Sequence, residues 1–431
     1  MTSTRRAFLA GASMLGLAAL TRELDAAAAP PVRFKWPWPV KAPDPHALGD
    51  PCAALLAATL YPPLYVRAVD GMLEPKGALA GPKEIKNGLR VDLVPGLRPS
   101  DVLASLAAAK SRGARLALRD VPVPRVEGEQ SVVFPGFLDP DALMRRLATP
   151  LAGIARIEPR RLLPTGGWDL SVKERESTTV LELTRRPTTP AVGVQPSGLP
   201  RINRFELEGV VDLARSLRTF ERFESELSYL ADGLFAPRPG ARPMDLGALG
   251  YVGLRAGSEV PELRSPGAVH RILESLPADR FGHLGLLRRG HVAAEPAGAQ
   301  DTAALAPNVA VVARVSQPML VGAAEILARE LGGIARVLDD ATFARVEAEG
   351  RFPLLLDLVR PIDDTAEGAA IALATFAGAN VPKSGATPSS VGKEGSAVLG
   401  WEIALLGAQA SHVWIPRAPF GGLDLAVGAV G

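Results

Sequence analysis

Residue types able to do chemistry are spread thinly along this chain. The five histidines, His46, His270, His283, His291 and His412, are not paired at helical spacing, and the single cysteine, Cys52, makes neither an internal disulfide nor a cysteine-based metal site alone. No metal and no cofactor is therefore expected. A glycine-rich phosphate loop and a G-x-S-x-G nucleophile elbow are both missing from the sequence. The carboxylate pairs Asp339-Asp340 and Asp363-Asp364 stand in turns, where capping a helix is the ordinary role. Trp36 and Trp38, in Trp36-Pro37-Trp38-Pro39, fit either a stacking platform for a ligand or the edge of a core. These residues point to binding and not to an enzyme.

Composition narrows the partners. Of 431 residues, 48 are basic and 46 acidic, well interspersed, so the formal charge of +2 leaves no electrostatic footprint for nucleic acid. A 47% hydrophobic content supports large cores in two or three domains. The 39 prolines and 43 glycines suit a chain with many strand-to-helix turns.

Residues 1–29 read as an export signal outside the fold. Arg5 and Arg6 in Thr4-Arg5-Arg6-Ala7-Phe8-Leu9 precede a weakly apolar run and the small residues Ala26-Ala27-Ala28-Ala29. The pattern is that of the twin-arginine export machinery. The run is too short and too rich in Gly, Ala and Ser to span a bilayer, which needs about 20 apolar residues. Cys52 lies too far downstream to carry a lipid, and its expected role is a small apolar residue of the first helix. A periplasmic, unlipidated protein follows.

The elements that must position any site are legible in turn. A strand at 32–36 is followed by extended Asp44-Pro45-His46, a helix at 52–60, and the stop Tyr61-Pro62-Pro63-Leu64. A strand at 66–69 turns at Asp70-Gly71 and restarts at 72–75. Alternation marks a strand at 89–94, and a helix follows with Ser100 as its N-cap. A helix at 141–147 puts Leu143, Leu147 and Leu151 on one face. Strands are expected at 168–173, 179–183 and 202–207, a helix at 210–230, and a linker at 236–242. Residues 308–359 read strand-helix-strand-helix-strand with near-continuous apolar strands, hence a right-handed parallel unit, placed in the lobe opposite Trp36. A loop rich in Gly, Ser and Pro at 380–400 precedes a return segment at 401–427.

Asp44, Pro45 and His46, then Tyr61, Pro63 and Leu64, then Asp70, Gly71 and Pro75 follow in order a pattern "LDPH…Y-E-P-L…D-x-x-G-x-x-x-P". Val91, Leu93, Asp101, Val102, Ser105 and Leu106, the turn Leu163-Pro164-Thr165-Gly166-Gly167-Trp168, and Leu331 to Val337 followed by Asp339 and Phe343 continue it. In these motifs, over most of the mature chain, the sequence resembles the extracellular solute-binding proteins of family 5, the dipeptide, oligopeptide and nickel class. The loop before Asp101 is shorter than in that family, and Val359 stands where the family has an aromatic.

The resemblance implies a two-lobed α/β fold of the periplasmic-binding-protein type II, with mixed sheets and a hinge. Residues 30–65, 163–240 and 401–431 would form lobe 1, residues 66–162 a small subdomain packed on it, and residues 241–400 lobe 2. Gly166 and Gly167 would serve the hinge. The family's ligand-binding carboxylate falls nearest Asp357, Asp363 and Asp364. Asp363 is preferred, four residues past a strand ending at Val359, with Asp364 capping the next helix and Asp357 paired to an arginine such as Arg360 or Arg336. The implied function is capture of a small solute or peptide by a monomer that presents it to the permease subunits of an ABC importer. A non-transport descendant acting as an interaction or sensing partner is the alternative.

Overall fold

Alternation in Val32–Trp36 (β1) turns Val32, Phe34 and Trp36 into the core. β1 belongs to a computed structural model that describes residues 30–430, apart from 69, 160, 176–177, 188–199, 211, 230–237, 278–279, 288–307, 361, 363–364, 381, 384 and 419–420. Arg5, Arg6, Asp363 and Asp364 lie outside the described residues.

Helix α1 (Pro51–Leu60) starts where Asp50 accepts the Ala53 N–H and Pro51 takes the first helical position. β2 (Tyr65–Arg67) and β3 (Leu73–Pro75) form the expected hairpin, with Gly71 at φ +85° in its turn. Four antiparallel strands follow, β4 (Lys83–Ile85), β5 (Gly88–Asp92), β6 (Arg125–Glu127) and β7 (Ser131–Pro135), in the order β4-β5-β7-β6. Helix α2 (Pro99–Ser111) corrects one expectation: Arg98, not Ser100, is the N-cap residue, because Pro99 with its fixed φ takes the first turn. Helix α3 (Pro140–Leu147) is capped by Asp139 and buries Leu143 and Leu147.

The hairpins β8 (Ala155–Glu158) with β9 (Arg161–Pro164), and β10 (Trp168–Arg175) with β11 (Thr178–Arg185), lead to β12 (Arg204–Gly209). The long helix expected at 210–230 is cut short. α4 (Leu213–Glu221) ends where Phe223 adopts φ +63° and the Glu224 N–H returns to the Thr219 carbonyl, and β13 (Leu227–Tyr229) follows. β1 pairs in parallel with both β12 and β13.

Then come β14 (Arg242–Ala256), α5 (Ala268–Ser275) and β15 (Leu286–Leu287). The parallel unit expected at 308–359 is present: β16 (Val311–Arg314), α6 (Pro318–Glu330), β17 (Ala335–Leu338), α7 (Asp340–Glu349) and β18 (Leu354–Val359), with β16 parallel to both β17 and β18. Helix α8 (Ala366–Ala377) is capped by Thr365. The stretch read as a loop at 380–400 holds α9 (Pro388–Glu394), because Thr387 and Ser390 form a reciprocal capping box ahead of Pro388. β19 (Ala397–Gln409) starts inside the same stretch, and β20 (Val413–Trp414) and β21 (Ala429–Val430) close the chain.

The main sheet runs β10-β11-β12-β1-β13-β19-β14-β18-β16-β17. Among the described residues, its two ends are joined through β19 and β14, of 13 and 15 residues, which pair antiparallel with register shifts at Asp245/Ala248, Ala248/Gly250 and Val252/Gly253. β13 pairs with the far end of β19, whereas β18 pairs with the opposite half of β14. The parallel unit thus lies across these strands from Trp36. The architecture is mixed α/β. One core lies under the β1 end and continues beneath β14, β19 and α6. A second joins the small sheet, α2 and α3 to β18 and α8.

Gly166 and Gly167 stand between β9 and β10, where the Thr165 and Gly166 N–H groups both donate to the Leu60 carbonyl. A Cβ on Gly166 would lie 2.0 Å from the Thr59 carbonyl oxygen. Backbone cannot yield as a flexible side chain does. Gly166→Ala is expected to destabilise the chain by about 1–3 kcal/mol through overpacking. A thermal melt followed by circular dichroism checks it, and an unchanged midpoint would refute the close approach.

Candidate functional site

The residues between β1 and α1 tie the parts of the molecule together. Asp50 accepts the Asp44 N–H as well as the Ala53 N–H, and Asp44 accepts the His46 N–H, so the segment folds on its own carboxylates. Its outward groups then face two other units. Toward the small sheet, the Arg112 guanidinium donates to Asp44 at 2.6 Å, the Gly113 N–H donates to the His46 carbonyl, and His46 Nε2 lies 3.0 Å from the Gly153 carbonyl oxygen. Gly113 is required there, since a Cβ would stand 2.7 Å from the His46 carbonyl oxygen.

Toward the parallel unit the contact is Arg360, one residue past β18. Its N–H donates to the Leu48 carbonyl, and its Nη1 donates to the carbonyls of Pro45 and Ala47, each at 3.1 Å. The side chain is wholly buried, and burial lowers its pKa to about 10 against the opposing pull of Asp50 and Asp44. It remains a cation at neutral pH. Ala54, Ala57, Tyr61, Pro150 and Leu249 close around it and leave a space of about 20 Å³, enough for one water molecule. Helix α1, strand β14 and the end of β18 meet at this point.

The structure separates the residues singled out in the sequence. Trp36 and Trp38 do not offer a stacking platform: both are buried, 4.3 Å apart by ring centroids and packed on Tyr229, so the core-edge alternative holds. Asp357 is likewise unavailable to a ligand. It is buried in β18 and bound by Arg314 of the adjacent strand, at 2.9 Å from Nη2, and by its neighbour Leu358 N–H. The partner is neither Arg360 nor Arg336; parallel pairing of β16 and β18 sets Arg314 beside it, while Arg336 pairs with Glu259. Burial works against the Arg314 charge, yet Asp357 and Glu347 outweigh it and hold the guanidinium above its ordinary value. Arg360 as a bridge between units was not legible, because nothing in the sequence marks which carbonyls a buried arginine will find. Among the described residues no group of His, Cys, Asp or Glu could hold a metal ion, and no helix is long and apolar enough to cross a membrane.

No protein-family model and no curated protein sequence matches this chain. Solved structures do. The pheromone receptor PrgZ, described with its mode of peptide binding, is 11% identical with a TM-score of 0.69 over 93% of this chain and 99% of its own. A dipeptide binding protein from Pseudoalteromonas in complex with Met-Leu is 12% identical, with a TM-score of 0.69 over 93% of this chain and 100% of its own. NikA from Staphylococcus aureus in complex with Ni(L-His)2 is 12% identical, with a TM-score of 0.65 over 94% of this chain and 100% of its own. The likeness is one of fold: the chain has the periplasmic-binding-protein type II architecture.

His46 gives this junction a pH dependence. Burial lowers its pKa, against the raising influences of the Gly153 carbonyl and Asp44. The unfolded chain takes up a proton near the ordinary value of 6.5 while the folded chain still excludes it. Stability is therefore full above that pH and is lost as pH falls toward the folded value. The melting temperature should drop between about pH 7.5 and pH 5, and His46→Gln, which does not titrate there, should remove part of the drop. Equal slopes for both proteins would take His46 out of the acid response.

Proposed function

We propose that this chain is a periplasmic solute-binding protein of the family 5 type, which captures a small solute between two lobes for an ABC importer. The observation that carries the reading is the junction: two sheet ends linked through β14 and β19, with Arg360 reaching across to the 44–48 segment. Such a pair of strands lets two lobes rotate as rigid bodies, and contacts across the cleft set the closed state. The division into lobe 1, subdomain and lobe 2 belongs to this reading, as do export through Arg5 and Arg6, a monomeric state and a hinge role for Gly166 and Gly167. Peptide as the solute is supported by the peptide binding of PrgZ and of the dipeptide binding protein.

The non-transport alternative has an observation of its own. Donors of Arg360 that face the junction are met by the chain's own carbonyls, so the lobes hold one another without a solute. Calorimetric titration with a pool of short peptides separates the two readings: binding supports capture, and no binding supports an interaction or sensing partner. Asp363 remains the proposed acceptor for a ligand ammonium, since an ammonium taken out of water without a partner is costly. Asp363→Asn is expected to weaken binding at least tenfold, about 1.4 kcal/mol, with little change in melting temperature. Equal affinities would remove the assignment. Replacing Arg5 and Arg6 by Lys is expected to hold the protein in the cytoplasm; normal export of that variant, read by cell fractionation, would end the twin-arginine claim.

A further inference from the structure

Between the small-sheet unit and the start of α8 lies a cavity larger than the junction pocket, with a volume of about 330 Å³. Pockets that hold small molecules span roughly 300–1,000 Å³. One wall is α3. Leu143 and Leu147 dock this helix, which leaves Ala142, Arg145 and Arg146 at the i, i+3 and i+4 positions of the face that lines the cavity. Arg67 of β2 and Thr149 adjoin them. The opposite wall is the start of α8, with Thr365, Glu367 and Gly368, and Ile362 and Ile371 supply apolar surface.

Among the described residues, three guanidinium groups line these walls against the single carboxylate of Glu367. The arginines are also poorly matched by the protein. Arg145 reaches Asp139 only at 4.0 Å, and Arg146 reaches Asp120 only at 3.5 Å, an aspartate already held by Arg119 at 2.9 Å. Arg67 donates through Nη1 to the Gly71 carbonyl, while its buried Nε has no hydrogen-bond partner among the described residues. Each guanidinium carries five N–H donors in a fork that matches carboxylate or phosphate oxygens. Donor capacity is thus gathered around a space of ligand size, and among the described residues acceptors there are few.

We propose that this cavity binds a small solute carrying two or more carboxylate or phosphate groups, gripped by Arg145 and Arg146 from α3, with Arg67 and Thr149 beside them. The proposal rests on the solute-binding reading and names the ligand class that reading leaves open. Since the walls come from two units, an oxyanion bridging them also draws the units together. Paired guanidinium contacts are charge-assisted and the strongest hydrogen bonds such a site can form.

The test is calorimetric titration of the mature chain with citrate, with pyrophosphate and with an uncharged-side-chain dipeptide. Wild type should bind citrate or pyrophosphate, and the anion that binds separates carboxylate from phosphate chemistry. Arg145→Ala/Arg146→Ala should weaken that binding at least tenfold with an unchanged melting curve, because both side chains are partly exposed. Binding should also fall in about 1 M salt, where the Debye length is about 3 Å. Unchanged affinity in the double variant overturns the proposal. If the dipeptide binds and neither anion does, the anion proposal falls while solute capture stands. If none of the three binds and the peptide pool also fails, both fall.

Discussion

Everything in this structure hangs on how a buried arginine is satisfied at the crossing of three units. A guanidinium taken fully out of water is costly unless its donors are met and an opposite charge is near. Arg360 meets both conditions by drawing on residues 45–48, whose carbonyls point at it only because Asp44 and Asp50 have already folded that segment into a turn. The same two carboxylates supply the favourable field. Loss of Asp50 would remove the cap of α1, loss of Asp44 the anchor of Arg112, and loss of either would disturb the environment of Arg360. A short segment with no regular structure therefore fixes the relative placement of a helix, a small sheet and a parallel unit.

The crossing strands complement this constraint. β14 and β19 carry the sheet continuously from one end to the other, so their backbone hydrogen bonds survive any rotation that their irregular register permits. The bulges fall at residues 245–253, in the middle of the span, where bending costs least pairing. The turn at Gly166 and Gly167 is different in kind. Its N–H groups are pinned to Leu60, and its close approach to Thr59 leaves no room for a side chain.

Much of the fold was legible because local and tertiary signals agreed. The 308–359 stretch has apolar strands, a helix with a clear buried stripe and a capping Asp339, and it folds as read. Disagreement produced the misses. Residues 210–230 have helical periodicity, but parallel pairing of β13 with β1 rewards extension more, and Phe223 takes a left-handed conformation to end α4. The 380–400 stretch looked like a loop by composition, yet its capping box nucleates a helix. Site residues were harder still. The Trp36–Trp38 pair reads as platform or core edge until Tyr229, far away in sequence, is placed against both. Arg145 and Arg146 resemble an ordinary solvated helix face, and only the opposing start of α8 makes them a wall.

Asp357 shows why burial decides between structural and binding carboxylates. Its partner Arg314 is held in turn between Asp357 and Glu347, and packs on the Phe343 ring at 4.1 Å. Breaking such a buried pair costs more than its formation yields, because the remaining charge has no solvent to turn to. A ligand ammonium offered to Asp357 would have to displace Arg314 and leave it unpaired beside that ring. Ligand recognition must therefore use charges the fold has not already spent. On the walls between the units, the described side chains that meet this condition are the loosely matched arginines of α3 and β2.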